Sequence, residues 1–227
     1  MKNRLFHIAI IIISILVLTA EFLQIDWLMF LAKPCIMLWV ISYYLTNTQK
    51  NQLEKNTLLA FSFALLGDVL LMFQKQHESF FILGLASFLV CQVSYLQVFM
   101  KPVLQKDIRK SILVMQPYFL LFFLIYAGSL FTAMYHQLEH FMRIAVFVYA
   151  AALTAMAASA LNRKGYVAEK SFSLIFTGSL LFLISDSLIG INKFTFQIPY
   201  AGIWILGTYI AAQYLIVRGL IEEKFDK

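Results

Sequence analysis

Charged residues are scarce in this sequence. They make up 13% of its 227 residues, whereas hydrophobic residues make up 61%. Soluble domains average about 25% charged and about 45–50% apolar residues. Four prolines and nine glycines also leave no room for a long linker or a low-complexity segment. Because so few charges cannot coat a water-soluble surface, the composition excludes a soluble globular domain and indicates an integral membrane protein.

Cysteines and the common catalytic motifs are also few. Cys35 and Cys91 are too few for a disulfide framework, and no P-loop, dinucleotide fingerprint or G-x-S-x-G motif occurs. The segment HQLEH at 136–140 matches the zinc-ligand pattern H-x-x-E-H, but the other histidines, His7 and His77, lie at distant span ends. We interpret it as an interfacial polar loop. The sequence therefore predicts no metal and no cofactor.

Apolar runs of membrane length recur along the whole chain. A helix needs ~20 such residues to cross the hydrocarbon core, and the alternating pattern of a β-barrel is absent. We predict an all-α bundle of eight transmembrane helices that forms a single domain over residues 1–227. The predicted spans cover residues 5–20, 27–46, 57–74, 80–99, 111–132, 141–161, 170–190 and 199–217.

The basic residues that give the chain its net charge of +6 are distributed unequally between the two sides of the predicted bundle. A nucleic-acid partner would call for a clustered basic patch on a soluble face, so we expect none. Fourteen basic residues fall on one side and three on the other, which by the positive-inside rule places both termini in the cytoplasm. We expect a multi-pass protein of a bacterial inner membrane. The larger set is Lys2, Arg4, Lys50, Lys55, Lys101, Lys106, Arg109, Lys110, Arg163, Lys164, Lys170, Arg218, Lys224 and Lys227, and the smaller set is Lys75, Arg143 and Lys193.

Three ionisable residues lie inside predicted spans: Lys33, Asp68 and Asp186. Such residues are costly in hydrocarbon and mark functional sites by default. At ~1.5 Å per residue, Lys33 and Asp68 lie ~9 Å, and Asp186 ~6 Å, from the outer side of the membrane. This shared depth predicts one cluster.

One ammonium and two carboxylates would leave a negative charge in a medium of low dielectric constant, so one carboxyl group is expected to hold a proton. An acid and a base side by side are what a hydrolase requires. Three alternatives stay open: a buried salt bridge that fixes helix packing, a proton-coupled transporter of small molecules or lipids, and a lipid-binding or scaffold protein without turnover.

The segments around the two aspartates resemble each other. GDVL at 67–70 lies in the third predicted span, and SDSL at 185–188 lies in the seventh. A parallel duplication of four helices would produce this arrangement. The sequence therefore predicts two internal repeats, at about residues 1–110 and 111–227.

Several longer segments match motifs of one family. They are Lys33-Pro34, LLGDVLLM at 65–72, GLASFLVCQVSYL at 84–96, LFLISDSLIGINKF at 181–194 and TYIAAQYLI at 208–216. On these segments the chain resembles the YhhN family, which includes the mammalian lysoplasmalogenases. The resemblance implies hydrolysis of the vinyl ether bond of lysoplasmalogens, a class of lysophospholipid, without a cofactor. The products would be a fatty aldehyde and glycerophosphoethanolamine or glycerophosphocholine.

The resemblance also implies a set of site residues. Asp68 and Asp186 would share proton donation and water activation, and the sequence leaves open which acid has which role. Lys33 would tune the pKa values of both. Gln92, which recurs with Tyr95 at helical spacing in the fourth span, stands where the family often has a histidine. We expect Lys193 or Arg143 to hold the phosphate at the outer mouth. The full set expected to bind substrate is Gln92, Tyr95, Asn192, Lys193, Tyr209 and Gln213.

Overall fold

The computed structural model describes residues 2–225, which form a helical bundle without strands. Eight helices in these residues are long and apolar enough to cross a membrane, which confirms the predicted fold class. A short ninth helix lies between the fourth and fifth of them. The α-helices are α1 (Lys2–Phe22), α2 (Asp26–Asn47), α3 (Lys55–Met72), α4 (Glu78–Leu104), α5 (Ile112–Met115), α6 (Tyr118–Tyr135), α7 (His140–Leu161), α8 (Glu169–Phe194) and α9 (Ala201–Phe225).

The fifth predicted span, residues 111–132, is wrong at its start. The chain forms the four-residue helix α5 and then breaks at Gln116, whose φ and ψ angles are −134° and 73°. The transmembrane helix α6 begins after Pro117. A proline ring disfavours the helical conformation of the preceding residue, so Gln116 cannot continue α5 into α6.

Two other helices end at residues that differ from the predicted ends, α8 later and α3 earlier. α8 continues to Phe194 instead of residue 190, so that Asp186 lies eight residues, or ~12 Å, from the end of its helix. α3 ends at Met72, which leaves Asp68 four residues, or ~6 Å, from its end. A hydropathy window stops at polar residues such as Asn192, whereas the helix itself continues through them into the interface.

Four connections lie at one end of the bundle: residues 23–25, 73–77, 136–139 and 195–200. We call this the outer end, after the predicted orientation. The opposite end carries residues 48–54, 105–117 and 162–168. Which end faces the cytoplasm stays a prediction. In the charge count behind it, Lys227 lies outside the described residues, and the side chain of Lys2 is not described.

Two closely packed hairpins hold the aspartates. α3 packs most extensively against α4, and α8 against α9. A Cβ atom on Gly67 would lie 2.7 Å from the ring of Phe88, and one on Gly178 would lie 3.0 Å from the Ala212 carbonyl oxygen. Glycine at these two positions therefore lets the paired helices approach closely, as small residues do in membrane proteins.

Candidate active site

Asp68 on α3 is held by donors from α2 and α9. Its Oδ1 atom lies 3.7 Å from Nζ of Lys33, and its Oδ2 atom accepts a 2.7 Å hydrogen bond from the hydroxyl of Tyr209. The carboxyl group is 2% exposed, so the Lys33 ammonium is what balances its charge. This arrangement stabilises the carboxylate form of Asp68.

Asp186 on α8 has a different set of partners. Its Oδ2 atom accepts a 2.9 Å hydrogen bond from Nε2 of Gln92 and a 2.5 Å hydrogen bond from the hydroxyl of Tyr149. Both donors are neutral and both bind the same oxygen. Among residues 2–225, no ammonium or guanidinium group lies within 4 Å of Asp186, and no hydrogen-bond donor contacts its Oδ1 atom.

The predicted cluster of Lys33, Asp68 and Asp186 is therefore divided into two groups. The structure brings Lys33 and Asp68 together, whereas Asp186 lies with Gln92 and Tyr149. The predicted depths were similar because the hydropathy pattern placed the end of α8 too early and the end of α3 too late. Counted from the helix ends that the structure shows, Asp186 is the deeper of the two acids.

Aromatic rings lie against both acids. The rings of Phe88, Phe182 and Tyr209 meet edge to face, with centroids 6.0–6.3 Å apart. Tyr209 bonds to Asp68, and Phe182 lies one helical turn before Asp186. The rings keep the polar groups of the site in an apolar surrounding, where electrostatic interactions are strong.

An open cleft of about 520 Å³ leads from the outer end to Lys33. It lies between the α1–α2 connection, the end of α3, the end of α8 and the start of α9. Its walls carry charges of both signs, which suits a ligand that itself carries both. The polar lining residues are Glu21, Gln24, Asp26, Lys33, Gln74, Lys75, Gln76, Asn192 and Lys193.

The rim of the cleft is built from two connections that touch each other. Phe22 stacks on Tyr200 with ring centroids 6.3 Å apart. Gln24 and Tyr200 both adopt positive φ angles, 53° and 55°, which are uncommon for residues other than glycine. The carboxylate of Glu21 lies directly against Gly202, at a place that a Cβ atom would occupy. Gly202 therefore allows Glu21 to reach into the cleft.

A second cavity, of about 30 Å³, lies beside Asp186 and is mostly apolar. It is enclosed by α4, α6, α7 and α8. Phe81 and Ile189 line both this cavity and the cleft, so these two side chains form the wall between them. Other lining residues are Leu85, Leu130, Met134, Val146, Tyr149 and Leu153.

Two of the predicted binding residues bond to each other instead of to an acid. The hydroxyl of Tyr95 donates a 2.5 Å hydrogen bond to Oε1 of Gln213, and both side chains are fully buried. In the described part of the chain, Nε2 of Gln213 and Oε1 of Gln92 are buried without a partner. Tyr95 and Gln213 therefore join α4 to α9 away from both carboxylates.

The predicted residues of the outer mouth differ in their placement. Lys193 and Asn192 line the cleft, and Oδ1 of Asn192 also accepts a 2.8 Å hydrogen bond from the backbone N–H of Ile198. Arg143 does not line the cleft; its Nε atom donates a 3.0 Å hydrogen bond to the Leu138 carbonyl. Of the two expected phosphate ligands, the structure places only Lys193 at the cleft.

Sequence reasoning missed Tyr149. It lies in the alanine-rich helix α7, which packs against α4 and α8. Tyrosine is common in membrane proteins, and the hydropathy pattern does not show which face of a helix points inward. The weak signal was the sequence FVYAAALTAMAASA at 147–160, which is rich in alanine and contains a single tyrosine. Tyr149 is the longest polar side chain of this stretch and therefore the one best able to reach an acid on a neighbouring helix.

The histidines of the HQLEH segment lie at the outer end, where residues 136–139 connect α6 to α7. The sequence predicted an interfacial polar loop here; residues 136–139 form a connection, and His140 is the first residue of α7. Within residues 2–225, no group of three or more histidine, cysteine, aspartate or glutamate side chains is arranged to hold a metal ion.

The profile of the YhhN family matches residues 28–220, a range that includes both aspartates and all their partners. The chain belongs to the YhhN family. It is similar to lysoplasmalogenase TMEM86A of Bos taurus, with 28% identity over 194 residues that cover 84% of this chain and 75% of the relative. Lysoplasmalogenase TMEM86A of Homo sapiens is 27% identical over 196 residues, with the same coverage of 84% and 75%. No solved structure matches the chain.

Proposed function

We propose that this YhhN protein hydrolyses the vinyl ether bond of lysoplasmalogens inside the membrane. The products are a fatty aldehyde and glycerophosphoethanolamine or glycerophosphocholine. The observation that carries the proposal is the pair of buried carboxyl groups, each held by specific donors. Asp186 lines the apolar cavity, and Lys33, the partner of Asp68, lines the adjoining cleft. The names of the relatives support the substrate class.

The chemistry of this bond suits two carboxyl groups. Hydrolysis of a vinyl ether starts with proton transfer to an alkene carbon, which produces an oxocarbenium ion. A neutral carboxylic acid can donate that proton, and a carboxylate can stabilise the cation and activate water. Both effects are stronger in an apolar site than in water.

The cleft suits the polar part of such a lipid. Its volume of about 520 Å³ falls within the ~300–1,000 Å³ typical of small-molecule sites. Lys75 and Lys193 can pair with the phosphate, and Glu21 with the ammonium of ethanolamine or choline. The cleft would then open away from the cytoplasm of a bacterial inner membrane, as the charge bias predicts.

The test is the release of fatty aldehyde by purified protein from lysoplasmenyl-ethanolamine and lysoplasmenyl-choline. We expect Asp68→Asn and Asp186→Asn each to lower the turnover rate by at least ~10²-fold, the usual loss for a general acid or base. Glu169→Gln is the matched control, because Glu169 lies exposed at the other end of the helix that carries Asp186.

Folded wild-type protein that releases no aldehyde from either lipid would overturn this substrate assignment. A proton-coupled transporter would then be the better interpretation of the two buried acids.

A further inference from the structure

The two carboxyl groups differ in charge balance. Asp68 lies 3.7 Å from the Lys33 ammonium, whereas Asp186 receives hydrogen bonds only from the neutral groups of Gln92 and Tyr149. One ammonium balances one carboxylate, and a second negative charge in this apolar surrounding would be unpaired and costly. The neutral state of the site therefore has Asp68 ionised and Asp186 protonated.

The hydrogen bonds at Asp186 also indicate where its proton lies. Gln92 and Tyr149 both donate to Oδ2, which makes that oxygen the acceptor. Oδ1, which no donor in residues 2–225 contacts, is left to carry the proton. Asp186 lines the apolar cavity, and its Oδ1–H group is thus available to a ligand there.

The cavities lead independently to the same assignment. In a lysoplasmalogen the alkene carbon that accepts the proton lies on the side of the alkyl chain, and the carbon that accepts water lies next to the ether oxygen and the head group. The apolar cavity suits the chain and contains Asp186, whereas the charged cleft suits the head group and reaches Lys33. The proton donor should therefore be Asp186.

We propose that Asp186 donates the proton to the chain-side carbon of the vinyl ether and that Asp68, paired with Lys33, is the carboxylate that activates water. This assignment rests on the proposed function and adds the role of each acid and the direction in which the lipid lies. Phe81 and Ile189, which line both cavities, would flank the vinyl ether itself.

The proton transfers balance over the cycle. Asp186 protonates the chain-side carbon and leaves an oxocarbenium ion, to which water adds as Asp68 takes a proton from it. In the resulting hemiacetal, Asp68 returns that proton to the ether oxygen, and Asp186 accepts the proton of the new hydroxyl group. The carbon–oxygen bond to the glycerol breaks, the aldehyde leaves, and both acids regain their starting states.

The apolar cavity must widen to take an alkyl chain. It measures about 30 Å³, and its wall on the lipid side is formed partly by Met134 of α6 against Gly190 of α8. A Cβ atom on Gly190 would lie 2.9 Å from the sulfur of Met134, so the two helices touch here through a flexible side chain. Because methionine repacks easily, the chain can pass between α6 and α8 toward the bilayer.

Tyr149 and Gln92 are positioning residues in this scheme. By holding Oδ2 of Asp186 they direct the opposite oxygen toward the cavity. Tyr118 offers a control, because its hydroxyl donates to Oε1 of Gln116 at the surface and lies outside both cavities.

The first experiment detects which carboxyl group is protonated and does not require turnover. Infrared spectra of purified protein at neutral pH should show the carbonyl stretch of a protonated carboxyl group in wild type, and the band should be absent in Asp186→Asn. Thermal unfolding confirms that each variant is folded. A band that persists in Asp186→Asn but disappears in Asp68→Asn, or its absence from wild type, would overturn the assignment whether or not the protein is a hydrolase.

The second experiment identifies the proton donor during turnover. In D₂O the aldehyde acquires one deuterium on the carbon next to its carbonyl, and immediate reduction to the alcohol preserves the stereochemistry. We expect wild type and the residual activity of Asp68→Asn to place deuterium on one face of this carbon. The residual activity of Asp186→Asn should place deuterium on both faces. Labelling of one face by Asp186→Asn and of both by Asp68→Asn would reverse the roles, and if a variant has no residual activity the infrared result decides.

Tyr149→Phe separates positioning from a purely structural role. We expect this substitution to lower kcat by roughly 10-fold with little change in KM. Because the carboxyl group of Asp186 can then rotate, we also expect part of the deuterium to reach the second face of the carbon. Tyr118→Phe should change neither kcat nor the labelling. Equal effects of the two substitutions would show that Tyr149 does not position the donor.

Discussion

Tyr95 on α4 and Gln213 on α9 are hydrogen-bonded at 2.5 Å and lie 118 residues apart in the sequence. The same separation relates Asp68 to Asp186 and Gly84 to Gly202. Asp68 on α3 accepts a hydrogen bond from α9, and Asp186 on α8 accepts one from α4. Each half thus supplies a donor to the acid of the other half. The parallel duplication of four helices stays a prediction.

The pairing of Tyr95 with Gln213 should contribute measurably to stability. Tyr95→Phe leaves Oε1 of Gln213 buried without a donor, next to an Nε2 atom that already lacks an acceptor. A lost partner of this kind costs about 1–3 kcal/mol in soluble proteins, whereas hydrogen bonds between membrane helices contribute less, ~0.6 kcal/mol on average. We expect a lower unfolding temperature in detergent, with partial recovery in the double variant Tyr95→Phe, Gln213→Leu.

An exposed pair of the same types serves as control. Tyr118 donates a 2.7 Å hydrogen bond to Oε1 of Gln116 at the surface, and Tyr118→Phe should leave the unfolding temperature nearly unchanged. A double variant no more stable than Tyr95→Phe alone would contradict the explanation by an unpaired amide.

A second buried pair lies at the opposite end. Arg163, which the sequence placed among the charges of a connection, is fully buried, and its NH2 group donates a 2.7 Å hydrogen bond to Glu223 of α9. Removing one partner of a buried pair leaves an unpaired charge, at a typical cost of about 3–5 kcal/mol. We expect Glu223→Gln to lower the unfolding temperature by several degrees, and Glu222→Gln, whose partner Lys170 is exposed, to have little effect. Similar shifts in both variants would show that Arg163 finds another partner.

The sequence was sufficient for those features that depend on burial in the membrane. Hydropathy gave the eight spans, and the cost of a charge in hydrocarbon marked Lys33, Asp68 and Asp186 as candidate site residues. The contact between Lys33 and Asp68 followed from their opposite charges at similar depths. These inferences needed no knowledge of which helices are neighbours.

What the sequence could not give depends on helix neighbours and helix ends. Tyr149 reaches Asp186 only because α7 packs against α8 at that level. The separation of Asp186 from Lys33 follows from the true end of α8, and Pro117 moved the start of α6. A hydropathy window averages over such single residues and therefore cannot locate them.

Stability should also depend on pH through Glu54, in the connection before α3. Its Oε1 atom lies 2.6 Å from Nζ of Lys101 and 3.2 Å from Nζ of Lys224. Burial by itself would raise the pKa of Glu54, but the two ammonium groups outweigh it and hold the pKa below its ordinary value. The stabilisation is therefore complete above the ordinary glutamate pKa of about 4.3 and is lost as the pH falls through the lower pKa of the folded protein.

The measurement is the unfolding temperature of wild type and Glu54→Gln across this pH range. Because the pairs are partly open to water, we expect a difference of about 1 kcal/mol or less near neutral pH, which should disappear in acid. A difference between wild type and Glu54→Gln that persists in strong acid would mean that charge is not its cause.

The charges of the cleft should determine the choice of head group. If Glu21 pairs with the ammonium of the lipid, Glu21→Gln should lower kcat/KM for lysoplasmenyl-ethanolamine and leave it unchanged for a vinyl ether lipid with an anionic glycerol head group. We expect the ratio of kcat/KM for the ethanolamine lipid to kcat/KM for the glycerol lipid to fall by roughly 10-fold, or about 1.4 kcal/mol. The effect is limited because the cleft is open to water. Lys193→Gln should lower both values, because both lipids carry the phosphate, and Glu139→Gln, outside the cleft, should change neither. An unchanged ratio in Glu21→Gln would place the ammonium elsewhere and leave Glu21 as a rim residue held by Gly202.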